Sequence, residues 1–447
     1  MIPKDPIDIK SITSPHQEDK SSLDIEKSIS EVQIEHVPEG TASMGKALFM
    51  LLKAFIGTGV VFLPKGFANG GLIFSIFLMF FIAFICLIAF QLLIQVQQKI
   101  GGDYGHIADH LYGPWLKYFI LFFLCLSQMG FVASYLIFIS ENIGLVVDQL
   151  SQCQGPFPSS IYIWLVLFII IPITWVRKIA KLSWNAILAD VFILFGLVSV
   201  LYFTSVQINQ QNGLGPNIAY IDTANFPLFI GTSVFSFEGI GMVIPIIQGM
   251  KEPEKFPRVL TMGMIICTSV FVLIGSIGYA AYGEATKASV VSNLPVYNGL
   301  SISVQLLYAI AMILTSPFML YPAIVIIEQA IFGHGRSGRL HLKYKWMKNG
   351  VRSLIPIICA GVSYGVGAEG LDKFVSLVGS LACVPLCFIF PGMLHFKITD
   401  SKVKKGIDII MTLWGFGIMI FTLVINVRSW LVPAPHPQAA SGGICII

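Results

Sequence analysis

Charge is what this sequence has least of. Lys, Arg, Asp and Glu make up 12 % of its 447 residues, and hydrophobic residues 55 %. Soluble domains carry roughly 25 % charged residues, so the scarcity excludes a soluble globular domain, and no nucleic-acid partner is expected. The mean hydropathy is +0.79. The length suits about ten to twelve bilayer spans of roughly 20 residues each.

Other absences narrow the reading further. Residues 1–43 are polar and hold no apolar run long enough for a signal peptide, which predicts a disordered cytosolic tail. No Asn-x-Ser/Thr sequon occurs, so glycosylation marks no compartment. The eight cysteines include Cys383 and Cys387, spaced i, i+4 with no His or carboxylate beside them, and no metal site is expected. Cys153 and Cys445 fall in polar segments on one side; two free thiols are the expectation and a disulfide between them the alternative. His106 and His110 flank Asp109 in a segment, 101–118, that reads as a short amphipathic helix on the cytosolic face, where solvation accounts for them and a metal site is the alternative. No cluster of catalytic side chains or metal ligands stands out, so neither an enzyme nor a cofactor is expected.

What is present is a series of apolar runs. Eleven spans are predicted, near residues 46–69, 72–97, 116–147, 160–176, 184–206, 225–248, 259–282, 300–332, 351–367, 371–395 and 406–431. With a cytosolic N-terminus, the cytosolic connections and their flanks hold eighteen basic residues, from Lys99 and Lys117 to Lys404 and Lys405. The opposite connections and the C-terminal tail, 433–447, hold only Lys287, Lys373 and Arg428. That asymmetry predicts N-in, C-out. The loop 333–352 carries six Lys/Arg and no acid, a retention signal for topology with anionic headgroup binding as the alternative.

Two spans are interrupted. In residues 231–257, GTSVFSFEGIGMVIPIIQGMKEPEKFP, the carboxylate of Glu238 sits between Phe237 and Gly239, with Ser236, Ile240 and Gly241 beside them. Gly loosens a helix, and an acid within a bilayer is costly without a function or a partner. In the first span, LLKAFIGTGVVFLPKGFANGGL, Gly57 and Gly59 flank Thr58. A break there exposes N–H groups at the start of a half-helix, suited to an amino acid carboxylate, and carbonyls at the end of the preceding one, suited to an ammonium. Alone, GTG also reads as a close-packing face. The second break, in the first span of the second five-span half, predicts an inverted repeat: spans 1–5 (46–206) against spans 6–10 (225–395), with span 11 (406–431) outside and substrate at the midplane.

Glu238 has two readings. It carries a proton through the cycle, since burial penalises its charged form, or it only shapes the site. Lys53, one turn before the first break, is expected to pair with an acid, with snorkelling to the cytosolic interface as the alternative. Asp190, in span 5, and Glu328, near the cytosolic end of span 8, are gating or proton-coupling candidates, and Glu141 lies toward the outer end of span 3. Gln128 either lines the pathway or bonds within the core.

Three stretches, LLKAFIGTGVVFLPKGFANGGL, FEGIGMVIPIIQGMKEPEKFP and AAYGEATKASVVSNLP, resemble the amino acid/auxin permease family. They are most similar to its proton-coupled amino acid transporters and to the fungal vacuolar group. The resemblance covers about Met44 to Val432, the predicted transmembrane domain 44–432. It implies an all-α, eleven-helix fold of the amino acid–polyamine–organocation type with broken helices 1 and 6. It implies transport of neutral amino acids toward the cytosol with the proton as coupling ion, by alternating access. An amino acid sensor with slow transport is the alternative. Gly57, Thr58 and Gly59 would bind the substrate's backbone-like groups, faced by Ser236, Phe237, Gly239 and Gly241. The vacuolar membrane is the implied site and the plasma membrane the alternative.

Overall fold

The computed structural model describes residues 42–152, 157–177, 179–333 and 342–431. Cys153, Cys445 and the tails beyond these bounds lie outside the described residues. The chain is all helical. The first rod is split into α1 (Met44–Phe55), a 3-10 turn (Thr58–Phe62) and α2 (Leu63–Gly70), with a bend of 41° between the two helical parts. Then come α3 (Leu72–Ile100), the short α4 (Tyr104–Tyr112), α5 (Pro114–Leu150), α6 (Ile161–Thr174) and α7 (Ile179–Gln210). The second half begins with another split rod, α8 (Phe226–Ser236) and α9 (Ile240–Gln248), and continues through α10 (Phe256–Tyr282), α11 (Gly299–Phe332) and α12 (Leu342–Val366). The tenth rod is α13 (Leu371–Val378), two π-helical turns (Gly379–Cys383 and Pro385–Ile389) and α14 (Phe390–Ile398); α15 (Lys402–Leu431) is the last helix among the described residues.

Among the described residues, eight helices are long and apolar enough to cross a bilayer, nine if the bent first pair counts as one span. The remaining two expected spans fall short for local reasons. α6 has only 14 residues, and α12 opens on Lys343, Lys345, Lys348 and Arg352. The class of fold matches the expectation; the count of eleven is not established by length and apolarity.

The split rods are held together at three levels. On the basic face, Ala42 N donates to Gly249 O and Lys251 N donates to Ala42 O, both at 3.0 Å. On the opposite face, Leu72 N donates to Ala219 O at 2.8 Å and Asp222 N to Gly70 O at 3.1 Å. This second joint requires Gly71, whose φ is +84° and whose missing Cβ would stand 2.7 Å from Ile221 Cα. Between the joints the two rods cross at Gly59 and Ser236, where a Cβ on Gly59 would lie 3.3 Å from Ser236 Cα.

The surrounding helices form the frame. Ser363 Oγ on α12 donates to Ala133 O on α5 at 2.8 Å, and Tyr308 Oη on α11 donates to Ile193 O on α7 at 3.2 Å. At the basic end, Arg352 grips Glu328 with two hydrogen bonds of 2.9 Å and donates to Thr174 O and Val176 O at 3.1 Å. One guanidinium thus joins α6, α11 and α12. Arg352 is buried and Glu328 nearly so, and removing one partner of such a pair leaves an uncompensated buried charge. The rod Ala368–Ile398 is the most enclosed, with 89 % of its apolar window buried, whereas Lys402–Leu431 has 22 % and lies at the periphery.

The segment expected to lie on the cytosolic face is helix α4, started by Asp103, whose carboxylate accepts from His106 N at 2.7 Å. It is tied to the tenth rod by Tyr104 Oη donating to Leu386 O at 3.1 Å and Tyr112 Oη donating to Met393 O at 2.8 Å. Pro391 has no N–H for the carbonyl one π-turn earlier, and Tyr104 supplies that donor. Burial holds the Tyr104 pKa well above the usual tyrosine range, which keeps the hydroxyl protonated.

Arg352→Ala is expected to destabilise the purified protein by about 3 kcal/mol, read as a fall in thermal unfolding temperature in detergent. Arg428→Ala, on the peripheral α15, should leave it near wild type.

Candidate functional site

The site follows from two interruptions meeting. In the first rod the helix stops at Phe55, and Gly57 (φ −92°, ψ −146°) restarts it as the 3-10 turn. In the second it stops at Ser236, and Gly239 (φ −150°, ψ 10°) starts α9. Each restart leaves its first N–H groups without partners inside its own helix, and each stop does the same for the last carbonyls. Two positive and two negative half-helix ends therefore converge on one level of the fold.

Gly59 and Ser236 are in contact: Ser236 Oγ donates to Thr232 O at 3.0 Å and lies 3.5 Å from Gly59 O. Gly239 takes the end of α1 against it, since a Cβ there would stand 2.8 Å from the Phe55 ring. Gly241 meets Leu124 of α5 at 3.6 Å by the same measure. Gly57 is different, because a Cβ there would meet nothing within 4 Å. Thr58 contributes its backbone to the 3-10 turn. Phe237 is fully buried and packs on Phe271 of α10, ring centroids 5.1 Å apart.

The two faces of the crossing differ. Val60, Val61, Phe62 and Leu63 on one rod and Val234, Phe235 and Ser236 on the other are buried. Phe235 stacks edge-on with Phe131 at 4.5 Å and with Phe62 at 6.2 Å, and Phe62 reaches Phe138 at 6.1 Å. These rings plug the side away from the basic face. Leu52, Lys53, Ile56, Gly57, Gly241 and Met242, on the basic side, keep accessible surface. The aromatic side of the crossing is closed, and accessible surface remains on the basic side.

Lys53 and Asp190 come together across α1 and α7, Nζ to Oδ2 at 2.9 Å with both side chains partly exposed. Glu328 belongs to the Arg352 cluster and is not brought to the crossing. Glu238 is 7 % exposed, its Oε1 has no hydrogen-bond partner, and among the described residues it makes no ion pair. Glu141 faces Ser292 and Lys287 of the connection before α11. Among the described residues no group of three or more His, Cys, Asp and Glu could hold a metal ion.

Two features had no clear signal in the sequence. The aromatic plug is hidden because aromatics make up 12 % of the chain and occur in most spans. The π-helical turns leave only Pro385 and Pro391 as traces, inside a run that otherwise reads as one regular span.

Paired interrupted helices within a helical membrane bundle define the class: a polytopic protein of the inverted-repeat, broken-helix architecture. The same fold is seen in the inward-facing conformation of Mhp1 (TM-score 0.60, 14 % identity, 89 % of this chain and 92 % of that one). It is also seen in MhsT in complex with L-phenylalanine (TM-score 0.53, 10 % identity, 87 % and 99 %). The chain belongs to the family described as transmembrane amino acid transporter protein, whose pattern matches residues 40–429. It is 40 % identical over 384 residues to vacuolar amino acid transporter 3 of Schizosaccharomyces pombe, covering 86 % of this chain and 58 % of that protein. It is 38 % identical over 414 residues to vacuolar amino acid transporter 4 of Saccharomyces cerevisiae, covering 86 % and 58 %. The chain thus spans under two thirds of the length of these relatives. Amino acid transporter AVT3B of Arabidopsis thaliana is 26 % identical, with 89 % of its length covered.

Gly57 borders open space and Gly239 borders packed side chain, so substitutions at the two test different things. Gly57→Val should abolish amino acid binding with little change in thermal stability, because its Cβ enters open space. Gly239→Val should lower stability, because its side chain must displace Phe55. Both are checked by unfolding temperature with and without a saturating amino acid.

Proposed function

We propose that the chain is a secondary active transporter of neutral amino acids, coupled to protons, which delivers substrate to the cytosol by alternating access. The observation that carries this reading is the crossing itself. Two half-helix starts and two half-helix ends meet beside one unpaired carboxyl group. A zwitterion needs donors for its carboxylate and acceptors for its ammonium, and the half-helix ends supply both from the backbone. The side chains near the crossing add little charge. Lys53 and Asp190 neutralise one another, leaving Glu238. With Glu238 protonated the site is neutral overall, which suits a substrate of no net charge.

Coupling follows from the isolation of Glu238. A carboxylate with no cation beside it is costly to keep ionised within the membrane. It takes a proton when its site communicates with an acidic compartment and gives it up when the site opens to the cytosol. The accessible surface on the basic side and the closed aromatic side fit the cytosol-facing half of that cycle. In it, the Phe62, Phe131, Phe138 and Phe235 rings form the closed gate. The Lys53–Asp190 pair bridges α1 and α7 on the open side and restrains how far α1 swings. The names of the fungal relatives support a vacuole-type membrane, where an acidic lumen supplies the gradient. Those relatives are named transporters, which leaves the sensor alternative unsupported.

In proteoliposomes, labelled neutral amino acid should enter faster under an imposed pH gradient than at symmetric pH. Absence of transport for every neutral amino acid tested would refute the reading. Glu238→Gln should flatten the pH dependence of uptake while exchange at symmetric pH persists. A wild-type pH profile in that variant would remove Glu238 from the coupling role. Lys53→Ala and Asp190→Ala should each change turnover, and the double variant should lose no more than the worse single one.

A further inference from the structure

At the basic end, a cavity of about 490 Å³ lies between the end of α3, helix α4 and the end of α14. Lys99, His106, His110 and Lys397 line it, together with Asp400. Its side chains are set by contacts outside the cavity. Lys99 Nζ donates to Ile398 O at 2.8 Å, which uses one of the three donors of the ammonium. Lys397 Nζ stands over the Tyr112 ring, 5.4 Å from its centroid. The His106 and His110 rings lie one turn apart, stacked at 6.5 Å. Gly102 (φ +79°) makes room for the first of them, since a Cβ there would collide with His106 Nδ1.

The acids of α4 and its cap are already engaged. Asp109 pairs with Lys117 at 3.1 Å, and Asp103 accepts from His106 N at 2.7 Å. Two ammonium groups therefore share the cavity wall with one carboxylate, and each imidazole adds an N–H whether or not it is charged. Such a space suits an anion, and its setting says which kind. From Lys397 the Tyr112 ring leads to the exposed Trp115, edge-on with centroids 6.3 Å apart. One and two turns further along α5, Phe119 and Phe122 are exposed as well. A Trp followed by apolar rings marks the level where headgroups give way to acyl chains. A soluble anion would use the cavity alone, whereas a lipid uses the cavity and the apolar face beside it.

We propose that this cavity binds the headgroup of an anionic phospholipid from the leaflet that the basic face meets. Its phosphate sits between Lys99 and Lys397, and its chains run along Trp115, Phe119 and Phe122. Basic pockets between membrane helices at headgroup level hold lipids of this kind. The site also reaches the broken helices. Gln248, the last residue of α9, donates to Gly102 O at 3.1 Å, beside His106. A headgroup in the cavity braces α4 where that half-helix is tied to it.

Purified protein in neutral detergent is titrated with dioctanoyl phosphatidylinositol phosphate, and an apparent Kd is taken from the rise in unfolding temperature. Dioctanoyl phosphatidylcholine and chain-free inositol phosphate are titrated in parallel. Wild type should bind the anionic lipid more tightly than either. Lys99→Gln/Lys397→Gln should weaken that binding about thirtyfold, roughly fivefold for each lysine. Lys343→Gln/Lys345→Gln removes the same charge from the basic start of α12 and should leave it near wild type. If the first double variant does not fold, Lys397→Gln alone should still weaken binding about fivefold, and wild-type affinity in it overturns the proposal. Equal weakening in the two double variants means diffuse attraction to the basic face and overturns it too. So does phosphatidylcholine binding as tightly as the anionic lipid, or no shift with the anionic lipid in wild type. Chain-free inositol phosphate binding as tightly as the lipid overturns the lipid assignment in favour of a soluble anion.

Discussion

Everything near the centre of this protein depends on the pinning of two interrupted helices to one another. A helix break inside a bilayer exposes backbone groups that nothing in lipid can satisfy, so it persists only where protein or a water-lined cavity surrounds it. Here the first and sixth rods are joined by backbone hydrogen bonds near both faces, at Ala42 with Gly249 and Lys251 and at Gly70–Leu72 with Ala219 and Asp222. They touch again at Gly59 and Ser236. The joints set the height at which the breaks meet. The frame around them keeps lipid away, with Arg352 binding three helices at one end and α5, α7, α11 and α12 cross-linked along their length.

The same constraint gives the crossing its two sides. Rings of Phe62, Phe131, Phe138 and Phe235 fill one side without needing hydrogen-bond partners, whereas the other side leaves Gly57 facing empty space. Alternating access requires that this asymmetry reverse. The first π-helical turn of the tenth rod packs on α8, where a Cβ on Gly379 would stand 3.1 Å from Phe235 Cβ, and such turns mark places where a helix departs from regular bonding, often at functional sites. That packing puts the least regular part of the most enclosed rod against the half-helix that ends at Ser236.

Much of this was legible in the sequence because it is written in residues that a membrane helix rarely tolerates. Glycines around Thr58 and an acid between Phe237 and Gly239 stand out against apolar surroundings, and the inverted positions of the two breaks related them. Lys53 and Asp190 were conspicuous for the same reason, and their pairing needed only the fold to bring them together. Glu328 was equally conspicuous, but its partner Arg352 read as part of the basic connection, so the cluster that frames three helices was not foreseen. The aromatic plug and the π-helical turns are built from residues common in every span, and only packing distinguishes them. The span count suffered from the opposite problem, since α6 is short and α12 begins with charge.

The central claim is that the crossing of the two broken helices is where substrate sits. An experimental structure with a saturating neutral amino acid tests it most directly. The account predicts density between Gly57 and Ser236, with the carboxylate on the N–H groups that follow Gly57. Density for the amino acid elsewhere, or an unbroken helix through Gly57–Gly59, would contradict it.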